Sequence, residues 1–147
     1  MKNYKFSRRP SVFESLANIA AINHYRGQHF YFTECKLTDD EILTDIERIN
    51  TTGLNSRGCC VAGCHTFRQP NNNPRGYWKV LNLIAGTEGG LKRREICEKL
   101  NVKTLNLQLR CLEWAGLVRL DRDYTHKFVV TDFGKAYISA VICEFNV

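Results

Sequence analysis

No stretch of this 147-residue chain approaches the roughly 18–20 uninterrupted apolar residues of a membrane-spanning helix, so the sequence predicts no membrane partner. A secretory leader is not legible either. Basic residues stand at Lys2, Lys5, Arg8 and Arg9, but Glu14 and Asn18 interrupt Ser11–Ile22, the stretch that would have to serve as an apolar leader core. The expected setting is the cytoplasm, at the nucleoid if the source is bacterial. A glycine-rich phosphate loop of Walker or Rossmann type is also missing, and Gly86-Thr87-Glu88-Gly89-Gly90 reads as a turn between two helices. Carboxylates cluster only at Asp39-Asp40-Glu41, a helix start, where they complement the helix dipole and do not converge on a site. No cysteine carries a reaction motif or an orienting third group. The expectation is therefore a protein without an enzymatic activity. There is no internal repeat.

The seven cysteines are too scattered, and odd in number, for a disulfide framework. Four residues stand out in the run Cys59-Cys60-Val61-Ala62-Gly63-Cys64-His65: Cys59, Cys60, Cys64 and His65 are candidate ligands of a structural zinc. Cys35, His24 and His29 supply no tidy second pair, so redox-responsive thiols and plain cysteines remain alternatives for the cluster. Cys97, Cys111 and Cys143 fall within the apolar patterns of helices and read as small core residues.

What is present is a composition able to pack. Hydrophobic residues make up 44% and aromatics 11%, enough for a core. The net charge of +6 favours a polyanionic partner such as nucleic acid. Residues 1–75 hold 10 Lys/Arg against 7 Asp/Glu and residues 76–147 hold 11 against 8, so charge alone does not locate the surface.

Capping and periodicity divide the chain into a helical region over 1–56, a cysteine-bearing loop or linker over 57–76, and a domain over 77–147. Ser11, with Glu14 three residues on, caps a helix to about Tyr25 whose apolar positions are Val12, Leu16, Ile19 and Ile22, and Gly27 stops it. His29–Thr33 has strand composition. Thr38-Asp39-Asp40-Glu41 opens a second helix, from Asp39 to about Asn50, carrying Ile42, Leu43, Ile46 and Ile49 and ended by Gly53. Residues 51–76 hold Gly53, Gly58, Gly63, Pro70, Pro74 and three consecutive Asn, as a loop does. Helices then follow over Tyr77–Ala85, Lys92–Leu100 and Thr104–Ala115, the last with Leu105, Leu109 and Leu112 at i, i+4 and i+7 and stopped at Gly116. Leu117–Leu120 and Phe128–Thr131 flank the polar tip Asp121–Lys127 as a hairpin, and Asp132–Ile142 is a final helix. The fold class is mainly α with a small β-hairpin (α+β).

The segments Leu112-Glu113-Trp114-Ala115-Gly116-Leu117-Val118 and Thr131-Asp132-Phe133-Gly134-Lys135 resemble the helix-to-wing step and the "Thr-x-x-Gly-(Lys/Arg)" helix start of MarR-type winged helix-turn-helix regulators. The resemblance covers the C-terminal half only; the region before it does not look like that family's dimerisation helices. It implies a winged helix-turn-helix domain that binds double-stranded DNA, usually as a homodimer on pseudo-palindromic sites, in transcription regulation. Helix 104–115 would enter the major groove and hairpin 118–131 would form the wing.

With the three leucines turned inward, the outer face of that helix and its preceding turn offers Lys103, Thr104, Asn106, Leu107 and Arg110. Asn and Arg suit bidentate base contacts, and Leu107 suits a thymine methyl. Lys92, Arg93 and Arg94 open the preceding helix where phosphates are reached. Arg119, Arg122, His126 and Lys127 stand on the wing. A replication or plasmid/phage-maintenance initiator, and a winged-helix protein-interaction module without DNA, are the alternatives.

Overall fold

A computed structural model describes residues 10–30, 36–52, 67–68 and 76–146. Among these the chain is mainly helical, with six helices and a three-stranded antiparallel sheet. The elements are α1 (Val12–Phe30), α2 (Asp39–Thr52), α3 (Tyr77–Ala85), β1 (Leu91–Lys92), α4 (Arg93–Leu100), α5 (Asn106–Ala115), β2 (Val118–Leu120), β3 (Lys127–Val130) and α6 (Asp132–Phe145). No helix among the described residues is long and apolar enough to cross a membrane.

The first helix starts as its capping residue dictates: the Ser11 hydroxyl accepts the Glu14 N–H at 3.1 Å. Its buried face is only in part the one that the large apolar residues suggest: Ile22 is buried and Leu16 half-buried. Val12 is 71% exposed and Ile19 45%, whereas Phe13, Ala17, Ala20, Ala21, His24 and Tyr25 are buried. The alanines decide this, because small side chains let α1 lie close on α5 and α6. Gly27 does not stop α1, which continues three residues to Phe30. The glycine is there for close approach: a Cβ on it would lie 2.5 Å from Cγ of Trp114 on α5. His29 and Phe30 are thus helical, and the remainder of the expected strand lies outside the described residues.

The second helix carries the reciprocal capping box in full. The Thr38 N–H donates to Glu41 Oε1 at 3.0 Å, and the Glu41 N–H donates to Thr38 Oγ1 at 3.3 Å. Hydrogen bonding of the Glu41 carboxylate by the Thr38 backbone N–H, and then by the Thr38 side chain, holds that carboxyl below its ordinary range. Ile42 and Ile46 pack against Ala21, Ile22 and Tyr25 in a small cluster between α1 and α2. Within it the Tyr25 hydroxyl donates to the buried Asp45 carboxylate at 2.6 Å, which satisfies an acceptor that would be costly to bury alone.

The main core is built by α1 and α3–α6 together. Phe13, Ala17 and Ala20 of α1 belong to the same cluster as Val80, Leu81, Ile96, Leu109, Phe128 and Val141. Helix α3 spans the residues expected of it and buries Tyr77, Trp78, Val80, Leu81 and Ile84. Two buried hydroxyls close a polar chain through this core. The Tyr77 and Tyr137 oxygens are 2.7 Å apart, and Tyr137 in turn donates to the Phe67 carbonyl. Burial disfavours the phenolate and raises the pKa of both hydroxyls well above the ordinary tyrosine range.

Lys92 is not the first residue of α4 but the last of β1, which pairs with β3 as Leu91 with Phe128 and Lys92 with Lys127. Strand order is β1-β3-β2, so the hairpin has a third, two-residue strand that the sequence does not announce. The Lys92 N–H donates to Glu95 Oε1 at 2.8 Å, fixing the strand-to-helix step. Helix α4 ends on Asn101 in the left-handed conformation (φ 54°), whose N–H is taken up by the last turn. Helix α5 begins at Asn106, two residues later than expected, so Lys103 and Thr104 stand in the connecting turn. Leu105, the residue before it, is fully buried with Leu109 and Leu112.

The two segments that carry the family resemblance are two halves of one joint. Gly116 leaves α5 at φ 81°, a conformation natural to glycine. The Thr131 hydroxyl donates to the Gly116 carbonyl at 2.6 Å, lies 3.1 Å from that of Leu117, and accepts the Gly134 N–H at 2.9 Å as the cap of α6. A Cβ on Gly134 would sit 2.1 Å from the Leu117 carbonyl oxygen. Helix α6 runs three residues past Ile142. It buries Tyr137 and Val141, while Ile142 and Cys143 are exposed, so Cys143 is not a core residue.

Candidate nucleic-acid interface

Seven of the twelve residues that the sequence marks for contact with DNA line two adjoining depressions. A groove of about 440 Å³ runs between α4, α5 and the hairpin, lined by Arg93, Asn106, Arg110, Glu113, Trp114, Leu120 and Arg122. A shallower hollow of about 290 Å³, lined by Lys92, Arg93, Arg94, Leu120, His126 and Phe128, shares Arg93 and Leu120 with it. These seven come from β1 (Lys92), α4 (Arg93 and Arg94), α5 (Asn106 and Arg110) and the hairpin (Arg122 and His126). Lys103, Thr104, Leu107, Arg119 and Lys127 line neither. The first four are exposed and Lys127 is half-buried.

Helical geometry explains the arrangement on α5. Leu109 and Leu112 are buried, so Asn106 and Arg110, four residues apart, share the outer face. Trp114 continues that line by another turn, and the Arg110 guanidinium stands 5.9 Å over its ring. Leu107 is 63% exposed beside Asn106, an apolar side chain that α5 offers to solvent.

The neighbouring elements hold their cations by aromatic and ionic contacts. The Arg93 guanidinium stands 5.7 Å over the Phe128 ring, whose burial behind the sheet makes it a fixed platform. Arg94 approaches Glu98 one helical turn on, at 3.7 Å in full solvent, a contact worth little. At the hairpin, Asp121 organises the tip by accepting the N–H groups of Asp123, Tyr124 and Thr125 and the Thr125 hydroxyl. The Thr125 hydroxyl bond leads in holding the Asp121 carboxyl below its usual range. His126 takes a left-handed φ of 56° where the chain turns back into β3.

Arg122 departs from the expectation of a cation open to phosphate. Its Nη2 is 2.8 Å from one Glu113 carboxylate oxygen and 3.2 Å from the other, which ties the hairpin tip to α5. The sequence gives no sign of this pair, because the partners lie nine residues apart on different elements. Trp114, by contrast, is legible as the i+4 neighbour of Arg110.

The candidate zinc ligands Cys59, Cys60, Cys64 and His65 lie outside the described residues. Among the described residues no group of three His, Cys, Asp or Glu side chains is placed to hold a metal ion. Cys97 and Cys111 are half-buried against the core, as expected, and burial pushes the Cys111 thiol up to about 11. No family model, curated protein or solved structure matches the chain.

Proposed function

We propose that this chain is a winged helix-turn-helix protein that binds double-stranded DNA by sequence, as a transcriptional regulator, and does no chemistry on it. The observation that carries the reading is the shared groove. Asn106 and Arg110, on the outer face of one rigid helix, open into the same depression as Arg93 from α4 and Arg122 from the hairpin. An α-helix, about 10–12 Å across, fits the major groove, about 12 Å wide, and the Asn and Arg of α5 are the side chains that read adenine and guanine edges in bidentate fashion. The exposed Leu107 supplies the apolar contact a thymine methyl would take. Lys92, Arg94, His126, Lys127 and Arg119 then meet phosphates on either side, which sets register without reading sequence.

The test is selection from random duplex DNA with the purified chain, followed by affinity measurement at several salt concentrations. The expected result is an enriched motif bound with a steep salt dependence, and loss of the preference in Asn106→Ala with Arg110→Ala. The motif's symmetry then reports whether two copies bind together. Affinity no better than that of a generic basic protein, unmoved by the double change, would overturn the proposal and favour a protein-interaction module.

A further inference from the structure

We infer that Gly27 of α1 is a positioning residue for DNA reading: by admitting the Trp114 indole against the α1 backbone, it places the Arg110 guanidinium on the outer face of α5. The inference rests on the proposed reading of α5 and deepens it.

Three contacts make a continuous relay across the molecule. A Cβ at Gly27 would stand 2.5, 2.6 and 2.7 Å from Cγ, Cδ1 and Cβ of Trp114, so only glycine allows the indole its place. The buried His24 ring meets the same indole edge-on at 5.7 Å, one helical turn earlier on α1, which fixes the plane of the ring. Arg110 stands 5.9 Å over that ring. Trp114 thus has one part against α1 and one part in the groove, where it lies with Asn106 and Arg110.

The cost of the glycine argues the same way. Glycine inside a helix is less favourable than alanine, and α1 runs through it to Phe30. An arginine on an exposed helix face has many rotamers, and a bidentate base contact needs one of them. An aromatic platform held by a second helix narrows the choice before DNA arrives. Arg110 would read the base; Trp114 and Gly27 act only through it.

The experiment compares Gly27→Ala with the parent chain in two ways. In the free protein, NMR reads the Arg110 Nε–H resonance, which the indole ring current displaces when the guanidinium lies over the ring. That displacement is expected to be lost in Gly27→Ala while the amide spectrum stays folded. On DNA, affinity for the selected sequence is expected to fall by roughly 5- to 150-fold, the range of one bidentate contact. Affinity for unrelated duplex should stay within about twofold, because phosphate contacts are untouched. In an Arg110→Ala background, Gly27→Ala should cost nothing further.

An unmoved Arg110 resonance, or the same loss of affinity with and without Arg110, overturns the inference. Should Gly27→Ala fail to fold, Trp114→Phe takes its place in the same cycle, and additivity with Arg110→Ala is again the overturning result. If the parent chain selects no sequence, the proposed function fails by itself, and the relay stands or falls on the Arg110 resonance.

Discussion

The Thr131 hydroxyl and the Gly116 carbonyl meet at 2.6 Å, joining the end of α5 to the start of α6 across the whole hairpin between them. The same hydroxyl caps α6 through Gly134, and the Thr131 N–H donates to the Leu117 carbonyl at 3.1 Å. One residue therefore sets both the exit of α5 and the entry of α6, and the hairpin is hung from that point.

Substitution at this joint should be costly out of proportion to side-chain size. Thr131→Val loses a cap and the carbonyl contacts together, an expected loss of about 1–2 kcal/mol. Gly134→Ala drives a methyl into the Leu117 carbonyl, a backbone atom that cannot rotate away, and should cost at least about 2 kcal/mol. Urea titration checks both. The midpoints should fall with the slope unchanged, and a Gly134→Ala midpoint equal to the parent's would contradict the close approach.

The Glu113–Arg122 pair should restrain DNA affinity. Glu113→Gln removes the carboxylate and frees the guanidinium for a phosphate. Affinity should rise about equally for all duplex sequences, and the salt slope should steepen by about one. An unchanged slope would mean that Arg122 meets no phosphate.

The two buried phenols should not be equivalent. Tyr137→Phe leaves both the Tyr77 hydroxyl and the Phe67 carbonyl without their bond, at an expected cost of about 2–3 kcal/mol. Tyr77→Phe leaves the Tyr137 donor satisfied by Phe67, and should cost nearer 1 kcal/mol. Thermal or urea unfolding of the two variants ranks them, and the reverse order would refute the chain of hydroxyls.

Stability should fall in mild acid. Burial against Phe67 and Trp114 lowers the His24 pKa from 6.5 to about 4, so between those values the unfolded chain binds the extra proton. The stability is whole above pH 6.5 and drains as pH falls toward 4, by roughly 1 kcal/mol per unit. Unfolding at pH 7.5 and pH 5 in the parent and in the non-titrating His24→Asn isolates the effect. An equal pH dependence in both would assign it elsewhere.

How much of this was legible depended on how loudly each residue speaks in a pattern. Leu105, Leu109 and Leu112 are large and regularly spaced, so the buried face of α5, and with it the outward Asn106 and Arg110, followed from periodicity. On α1 the contacts belong to Phe13, Ala17 and Ala20, and alanine carries too little apolar weight to outvote Val12 and Ile19. Gly27 reads locally as a stop because its helix penalty is intrinsic, whereas its reason for being there is a tryptophan 87 residues away. A two-residue strand such as β1 has no periodicity to read. The Glu113–Arg122 pair needs the hairpin's placement, which is a tertiary fact.

Among the described residues the sheet order β1-β3-β2 leaves both edges unpaired, yet each edge strand is only two or three residues long, and the two carry Lys92 and Arg119. Strands that short, with cations along them, give an incoming chain almost nothing to zip onto, which guards against self-association through the backbone. Two of the charges proposed to meet phosphates would thus also keep this small sheet solitary. Exchanging Lys92 or Arg119 for an apolar residue would weaken any hold on DNA and at the same time invite fibrous or amorphous precipitation. Glutamine, which keeps the edge polar, is the replacement that separates the two roles.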